Sequence, residues 1–212
     1  DVYKRQTRAN TCTNISCACP LCWINFVCGC FRLHKHVFKR ELSNQESSSL
    51  FVAADLTKAY DCEKVVEYAL NHYGRLDVLD NNIGIASNVS VVEESEEYWD
   101  RVMEINLKPM FLMSKYAIPA MISSGDGGSI VNISSISATR PKGLTAYSTS
   151  KGAVLSLTQA MAVDHGSDGI RVNCILPGPV YTPMVYASSS YLNQEGMSSE
   201  QRSQRQNASL LQ

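Results

Sequence analysis

Residues 130–175 read IVNISSISATRPKGLTAYSTSKGAVLSLTQAMAVDHGSDGIRVNCI. Ile130–Ile133 is a short apolar run, and Asn132-Ile133-Ser134-Ser135 marks its exit. From Ala146 to Val163 the apolar positions Val154, Leu157 and Met161 fall on one helical stripe, with Gly166 as the expected cap. Ile170–Ile175 is again a strand-like run, ended by Pro177-Gly178-Pro179. The stretch therefore predicts strand, helix, strand.

The same alternation continues upstream. Leu50–Ala54 predicts a strand that ends at Asp55. Cys62, Val65, Val66, Ala69, Leu70 and Tyr73 then line one helical face, stopped by Gly74. Leu76–Asp80 predicts the next strand and runs into Asn81-Asn82-Ile83-Gly84. Asp80 ends this strand as a carboxylate, where burial without a partner costs several kcal/mol. A single long helix is predicted over Tyr98–Ser123, with Trp99, Val102, Met103, Met110 and Met113 inward and Pro119 bending or fraying its end. Alternation of this kind predicts an α/β fold with a parallel sheet and helices on both faces. Such sheets bind ligands beyond the carboxyl ends of their strands. Asp55, Asn82, Ser135 and Gly178 all stand at predicted strand ends and would line that edge together.

Tyr147 and Lys151 are four residues apart on a predicted helix, so they project to the same side. A free tyrosine has a pKa of about 10 and is a poor base at neutral pH. A nearby ammonium favours the phenolate, which is the tuning that acid–base catalysis needs. Taken alone, a Tyr-x-x-x-Lys pair is most often a surface coincidence. Asn106 falls on the apolar face of its helix, where a polar side chain must find hydrogen bonds. It reads either as a site residue or as a core Asn pairing with backbone.

Taken together and in this order, Asn-Asn-Ile-Gly, Asn-Ile-Ser-Ser, Tyr-x-x-x-Lys and Pro-Gly-Pro-Val-Tyr-Thr resemble the short-chain dehydrogenase/reductase family over about Phe51 to Met184. The resemblance implies a Rossmann-like, doubly wound parallel sheet in three α/β/α layers. It implies an NAD- or NADP-dependent oxidoreductase interconverting an alcohol and a carbonyl, with a small-molecule substrate. Tyr147 would be the acid/base. Lys151 would lower its pKa and hydrogen-bond the nicotinamide ribose. Ser135 would hold the reacting oxygen, with Ser134 as the fallback because the gap to Tyr147 is one residue short. Asn106 would complete the tetrad. Asp55, Asn82, Gly84, Gly178, Val180 and Thr182 would bind cofactor along with Tyr147 and Lys151. Residues 185–212 resemble a truncated substrate loop. The helices around Asn106 and Tyr147 resemble the family's dimer interface, which implies a homodimer or homotetramer.

The chain also departs from the family pattern. A Gly-x-x-x-Gly-x-Gly turn normally brings backbone N–H groups to the cofactor pyrophosphate, yet Gly29 is the only glycine before Gly74. The implied strand order is 3-2-1-4-5-6-7. Residues 50–212 would supply strands 3, 4, 5 and 6 alone, leaving strand 3 without a neighbour and strand 4 as an exposed edge. This opens a second reading, a non-catalytic fragment that binds cofactor weakly.

Residues 1–49 read as a different text. They hold six of the eight cysteines and carry a net charge of +4, against −5 for residues 50–212. Cys17, Cys19, Cys22, Cys28, Cys30, His34 and His36 offer zinc ligands, but only one CxxC is present. That pattern allows a third reading, a zinc-binding leader fused to a degenerate enzyme. A secretory signal is opposed by Pro20 and Asn25 within the apolar run. Asp-Val-Tyr-Lys-Arg-Gln, at 1–6, back-translates with one codon choice to a transposon end used in sequencing libraries. Residues 1–49 are therefore expected to be a non-native or translated non-coding leader, outside the 50–212 domain and without a metal site.

Composition excludes other classes. With 44% hydrophobic and 18% charged residues the chain is not wholly disordered. No run of about 18 apolar residues predicts a membrane span. A net charge of −1 gives no electrostatic case for nucleic acid. Cys62 and Cys174 read as reduced core residues, which suits a cytoplasmic protein.

Overall fold

The computed structural model describes residues 26–28, 52–87, 89–141 and 144–180. Four parallel strands stand in the order β1 (Phe26–Cys28), β2 (Val78–Asn81), β3 (Gly128–Ile133) and β4 (Ile170–Ile175). The helices are α1 (Ala59–Tyr73), α2 (Glu96–Asn106), α3 (Lys108–Ser123) and α4 (Thr145–His165). The protein has an α/β fold with a parallel sheet.

Leu79, Ile130 and Val172 are partners across the ladders and so share one face of the sheet. They join Ile170 in a single core with Cys62 and Val66 of α1, Met113, Ala117 and Met121 of α3, and Met161 of α4. The helices α1, α3 and α4 thus cover one face. The opposite face shows Val78, Ser129, Val131, Arg171, Asn173 and Ile175, none of them buried, and carries no described helix. The expected three layers are described as two.

Several sequence expectations need correction. Within the predicted strand at Leu50–Ala54, the described residues 52–54 are exposed and make no ladder with any described strand. A strand needs a neighbour, and among the described residues none stands beside this one. The expected exposed edge at β2 is covered, because Phe26↔Val78, Val27↔Leu79 and Cys28↔Asp80 pair in parallel. The sheet therefore begins within residues 1–49. Asp80 is half-buried and is not without a partner. The predicted single helix over Tyr98–Ser123 is two, broken at Leu107. Pro109 is the cause, since it lacks an N–H and its ring opposes the carbonyl one turn back, yet it suits the first turn of α3. Pro119 lies inside α3, which runs on to Ser123.

The local caps follow their residues. Ser95 Oγ accepts from the Tyr98 N–H at 3.2 Å and starts α2, with Glu96 and Glu97 in its first turn. Gly74, at φ 78°, ends α1 through its N–H on Leu70 O at 2.8 Å. Gly166 follows α4 but is right-handed (φ −61°), so the chain reverses at Gly169, φ 76°, instead. Among the described residues no helix is long and apolar enough to cross a membrane.

Candidate active site

The carboxyl ends of β2, β3 and β4 deliver Asn82, Ser135 and Gly178 to one edge of the sheet. Two loop contacts hold that edge together. Ser134 N–H donates to Ile175 O at 2.8 Å, and Ile136 N–H donates to Pro177 O at 3.0 Å. The first turns of α4 then carry Tyr147 and Lys151 over the exit of β3.

Lys151 is only 4% exposed. Its Nζ donates to Ile133 O at 2.8 Å and reaches Ile83 O at 3.5 Å, so the ends of β2 and β3 both hold it. The ammonium lies 6.0 Å from the centroid of the Tyr147 ring. Burial pulls the Lys151 pKa down to about 8, against an opposing influence from Cys174. Tyr147 also differs from expectation. Its phenol is pushed above its ordinary pKa by burial, and only a hydrogen bond with Ser135 pulls the other way. The downward shift expected from Lys151 is not found: desolvation of the phenolate dominates in this half-buried position, and Ser135 is the one group that opposes it.

The two serines left open by the sequence have different partners. Ser134 is buried and donates to Lys151 O at 2.7 Å, which ties β3 to the backbone of α4. Ser135 accepts from Ser137 N–H at 3.1 Å, which leaves its own proton free to point at Tyr147. Ser135 and Tyr147 are the pair brought together.

Asn106 is fully buried and grips the backbone of Ile85 on both sides. Its Oδ1 accepts from Ile85 N–H at 2.7 Å, and its Nδ2 donates to Ile85 O at 2.9 Å. The amide also donates to Ser150 Oγ at 2.9 Å, and that hydroxyl donates to Tyr147 O at 2.7 Å. Asn106 thus joins the loop after β2 to the Tyr147 turn of α4. Gly84 lies between them. A Cβ there would stand 3.3 Å from Lys151 Nζ and 3.4 Å from Asn106 Oδ1, so the absence of a side chain permits the close packing.

The remaining expected residues are less convergent. Asn82 is exposed just past β2, and Gly178 and Val180 are exposed past β4. Asp55 is held locally: its Oδ1 accepts from Thr57 N–H at 3.1 Å and Thr57 Oγ1 at 2.7 Å, which caps the turn before α1. Thr182, residues 185–212 and the His and Cys ligand candidates of the leader, apart from the backbone of Cys28, lie outside the described residues. Among the described residues no cluster of His, Cys, Asp and Glu could hold a metal ion. Cys62 is buried with its Sγ on Leu56 O at 3.2 Å and its thiol pushed up to about 11, chiefly by burial. Cys174 is a half-buried free thiol.

Sequence reasoning missed a buried polar group behind the site. Asn81 Nδ2 donates to Asn132 Oδ1 at 2.9 Å, and Asn132 Nδ2 donates to Thr158 Oγ1 at 2.9 Å. The signal was present in the period-2 pattern. Asn81 follows Leu79, and Asn132 follows Ile130, on the core-facing register of two strands.

Comparison with known proteins agrees with this fold. Residues 26–192 match the model of the short chain dehydrogenase family. An uncharacterized oxidoreductase of Schizosaccharomyces pombe is 38% identical over 141 residues, covering 66% of this chain and 55% of that protein. The ligand-free aldohexose dehydrogenase of Thermoplasma acidophilum superposes with a TM-score of 0.66 at 32% identity, covering 75% of this chain and 61% of that one. The 3-ketoacyl-(acyl-carrier-protein) reductase of Brucella melitensis, solved with NADH, gives 0.62 at 32% identity, covering 66% and 60%. The chain spans a little over half the length of the curated relatives it matches. A parallel sheet that brings Ser135, Tyr147 and Lys151 to its carboxyl edge and a family match over most of the sequence lead to one assignment: this chain belongs to the short-chain dehydrogenase family.

Proposed function

We propose that this chain carries the catalytic half of an alcohol/carbonyl oxidoreductase that uses NAD or NADP. The observation that carries the reading is Tyr147 one helical turn from the buried Lys151 ammonium, which lies 6.0 Å from its ring centroid, with Ser135 drawing the Tyr147 pKa down. In the reducing direction the Tyr147 hydroxyl gives its proton to the substrate oxygen, and in the oxidising direction it takes the proton back. Ser135 hydrogen-bonds that oxygen while its charge develops. The nicotinamide, when bound, supplies or accepts the hydride. Lys151 would hydrogen-bond its ribose, and its charge would favour the phenolate. Asn106 would keep the loop after β2 and the Tyr147 turn in register.

The exposed edge fits the nicotinamide end of the cofactor. Gly178 has open space around it, and Val180 is exposed beside it. Asp55, Asn82, Gly84 and Thr182 would serve the rest of the cofactor. A small-molecule alcohol or carbonyl is the proposed substrate, and the free thiols of Cys62 and Cys174 suit the cytoplasm. A second copy is the proposed partner for the shallow apolar hollow between α2, α3 and α4, lined by Met103, Leu107, Phe111, Ala153 and Leu157.

The test is Tyr147→Phe. Turnover of an alcohol and ketone panel should fall at least about 100-fold, while quenching or shift of NAD(P)H fluorescence persists. Retained turnover overturns the reading. A second reading is a non-catalytic chain that does not hold cofactor by itself: residues 1–73 contain one glycine, Gly29, and no Gly-x-x-x-Gly-x-Gly turn. Absence of any NAD(P)H fluorescence change at millimolar cofactor would select it.

A further inference from the structure

The ladder between β2 and β3 ends at the pair Asn81↔Asn132. At this last rung the side chains continue what the backbone stops doing. Asn81 donates to Asn132, Asn132 donates to Thr158, and the Thr158 hydroxyl donates to Val154 O at 2.8 Å. All three polar residues are buried. Just beyond the rung Lys151 meets one carbonyl from each side, that of Ile133 at the end of β3 and that of Ile83 in the loop after β2. Thr158 stands seven residues after Lys151, two turns along α4, so both side chains lie on the same face of that helix.

We propose that Thr158 is a positioning residue for Lys151: by fastening Asn132, and through it Asn81, to α4, it sets the distance from the Ile133 and Ile83 carbonyls to the ammonium. The proposal rests on the reading that Lys151 serves the active site. A hydroxyl is required because Thr158 must accept from an amide and donate to its own helix at once, which valine, of the same shape, cannot do. Without it, the Asn132 amide is buried with an unmatched donor and turns to find another acceptor. The carbonyl of Ile133 is one residue away.

The experiment follows the Lys151 Cε resonance by 13C NMR across pH, in the full chain. Tyr147 on α4 and Cys174 on β4 are the other titratable groups facing the ammonium, and both are left in place. Carbonyl acceptors favour the charged form, so Thr158→Val should lower the Lys151 midpoint by about half a unit or more, and Thr158→Ser should restore it. In the unsubstituted chain the Thr158 methyl resonance should titrate with the Lys151 midpoint. A Lys151 midpoint unmoved in a folded Thr158→Val chain, or a Thr158 methyl blind to that titration, overturns the proposal. If Thr158→Val does not fold, the unsubstituted titration decides. The measurement needs no turnover, so an inactive chain defeats the proposed function without touching this result.

Discussion

The Lys151 ammonium donates to the carbonyl of Ile133, the last residue of β3, at 2.8 Å, inside a site that is almost closed to water. One charge is therefore held by neutral dipoles, with no carboxylate ion-paired to it among the described residues. Dipoles only partly replace water, which is why burial wins and the pKa falls to about 8.

That shift makes a stability prediction. The pKa is depressed from 10.5 in the unfolded chain to about 8 in the fold. Between those values the unfolded chain binds more protons, so stability rises with pH across the window. Below pH 8 the penalty of burying the charge is fully present. From pH 7 to pH 10 the native chain should gain about 2 kcal/mol relative to Lys151→Met, which has no such proton. Denaturant midpoints at the two pH values measure it. Equal slopes in the two chains would refute the assignment.

Ser135 and Ser134 differ by one residue and should differ in kind. Ser135→Ala removes the only influence that opposes burial at Tyr147, so the Tyr147 pKa should climb further. Turnover should fall about 100-fold, and the pH–rate limb set by Tyr147 should move to higher pH. Ser134→Ala instead removes a second donor from Lys151 O. It should cost about 1 kcal/mol of stability and leave that limb in place. Identical pH profiles for the two variants would show that Ser135 does not act on Tyr147.

The contrast between these serines also shows how far the sequence could be read. Tyr147 and Lys151 were legible because helical spacing alone puts them on one side, and the exit of β3 was legible because an apolar run ends there in Asn-Ile-Ser-Ser. Which serine faces the phenol was not, since both follow the same strand and only the turn at Ile136–Ala138 sends one inward. The described residues 52–54 of the predicted Leu50–Ala54 strand form no ladder because an apolar run states a preference, whereas a ladder needs a neighbour supplied from elsewhere. Phe26–Cys28 was missed for the converse reason: three residues are too few for a period to emerge. The break at Leu107 was hidden behind Pro119, which drew the reading while Pro109 did the breaking. Thr158 carried no local signal, because its partner Asn132 is 26 residues away.

Asn106→Ala tests the joint between the loop after β2 and α4. The substitution leaves the Ile85 N–H, the Ile85 carbonyl and Ser150 without their buried partners. About 3 kcal/mol of stability should be lost. Amide exchange should speed at Ile85 before it does elsewhere in the sheet. A loss under about 1 kcal/mol, with Ile85 still protected, would mean that the joint is held by something other than Asn106.

Phe111 tests the proposed pairing of two copies. It is 49% exposed at the edge of the apolar hollow, where the nearest charges, Glu104 and Lys108, are already paired to each other at 3.5 Å. An exposed aromatic of this kind can anchor an interface that buries it, and a carboxylate in its place would resist that desolvation. Phe111→Asp should therefore leave the helix and core intact and convert a sedimenting dimer or tetramer to monomer. The side chain lies outside the core, so its thermal stability as a monomer should change little. If the unsubstituted chain already sediments as a monomer at tens of micromolar, or if the variant keeps its oligomeric state, the partner for this face is not a second copy.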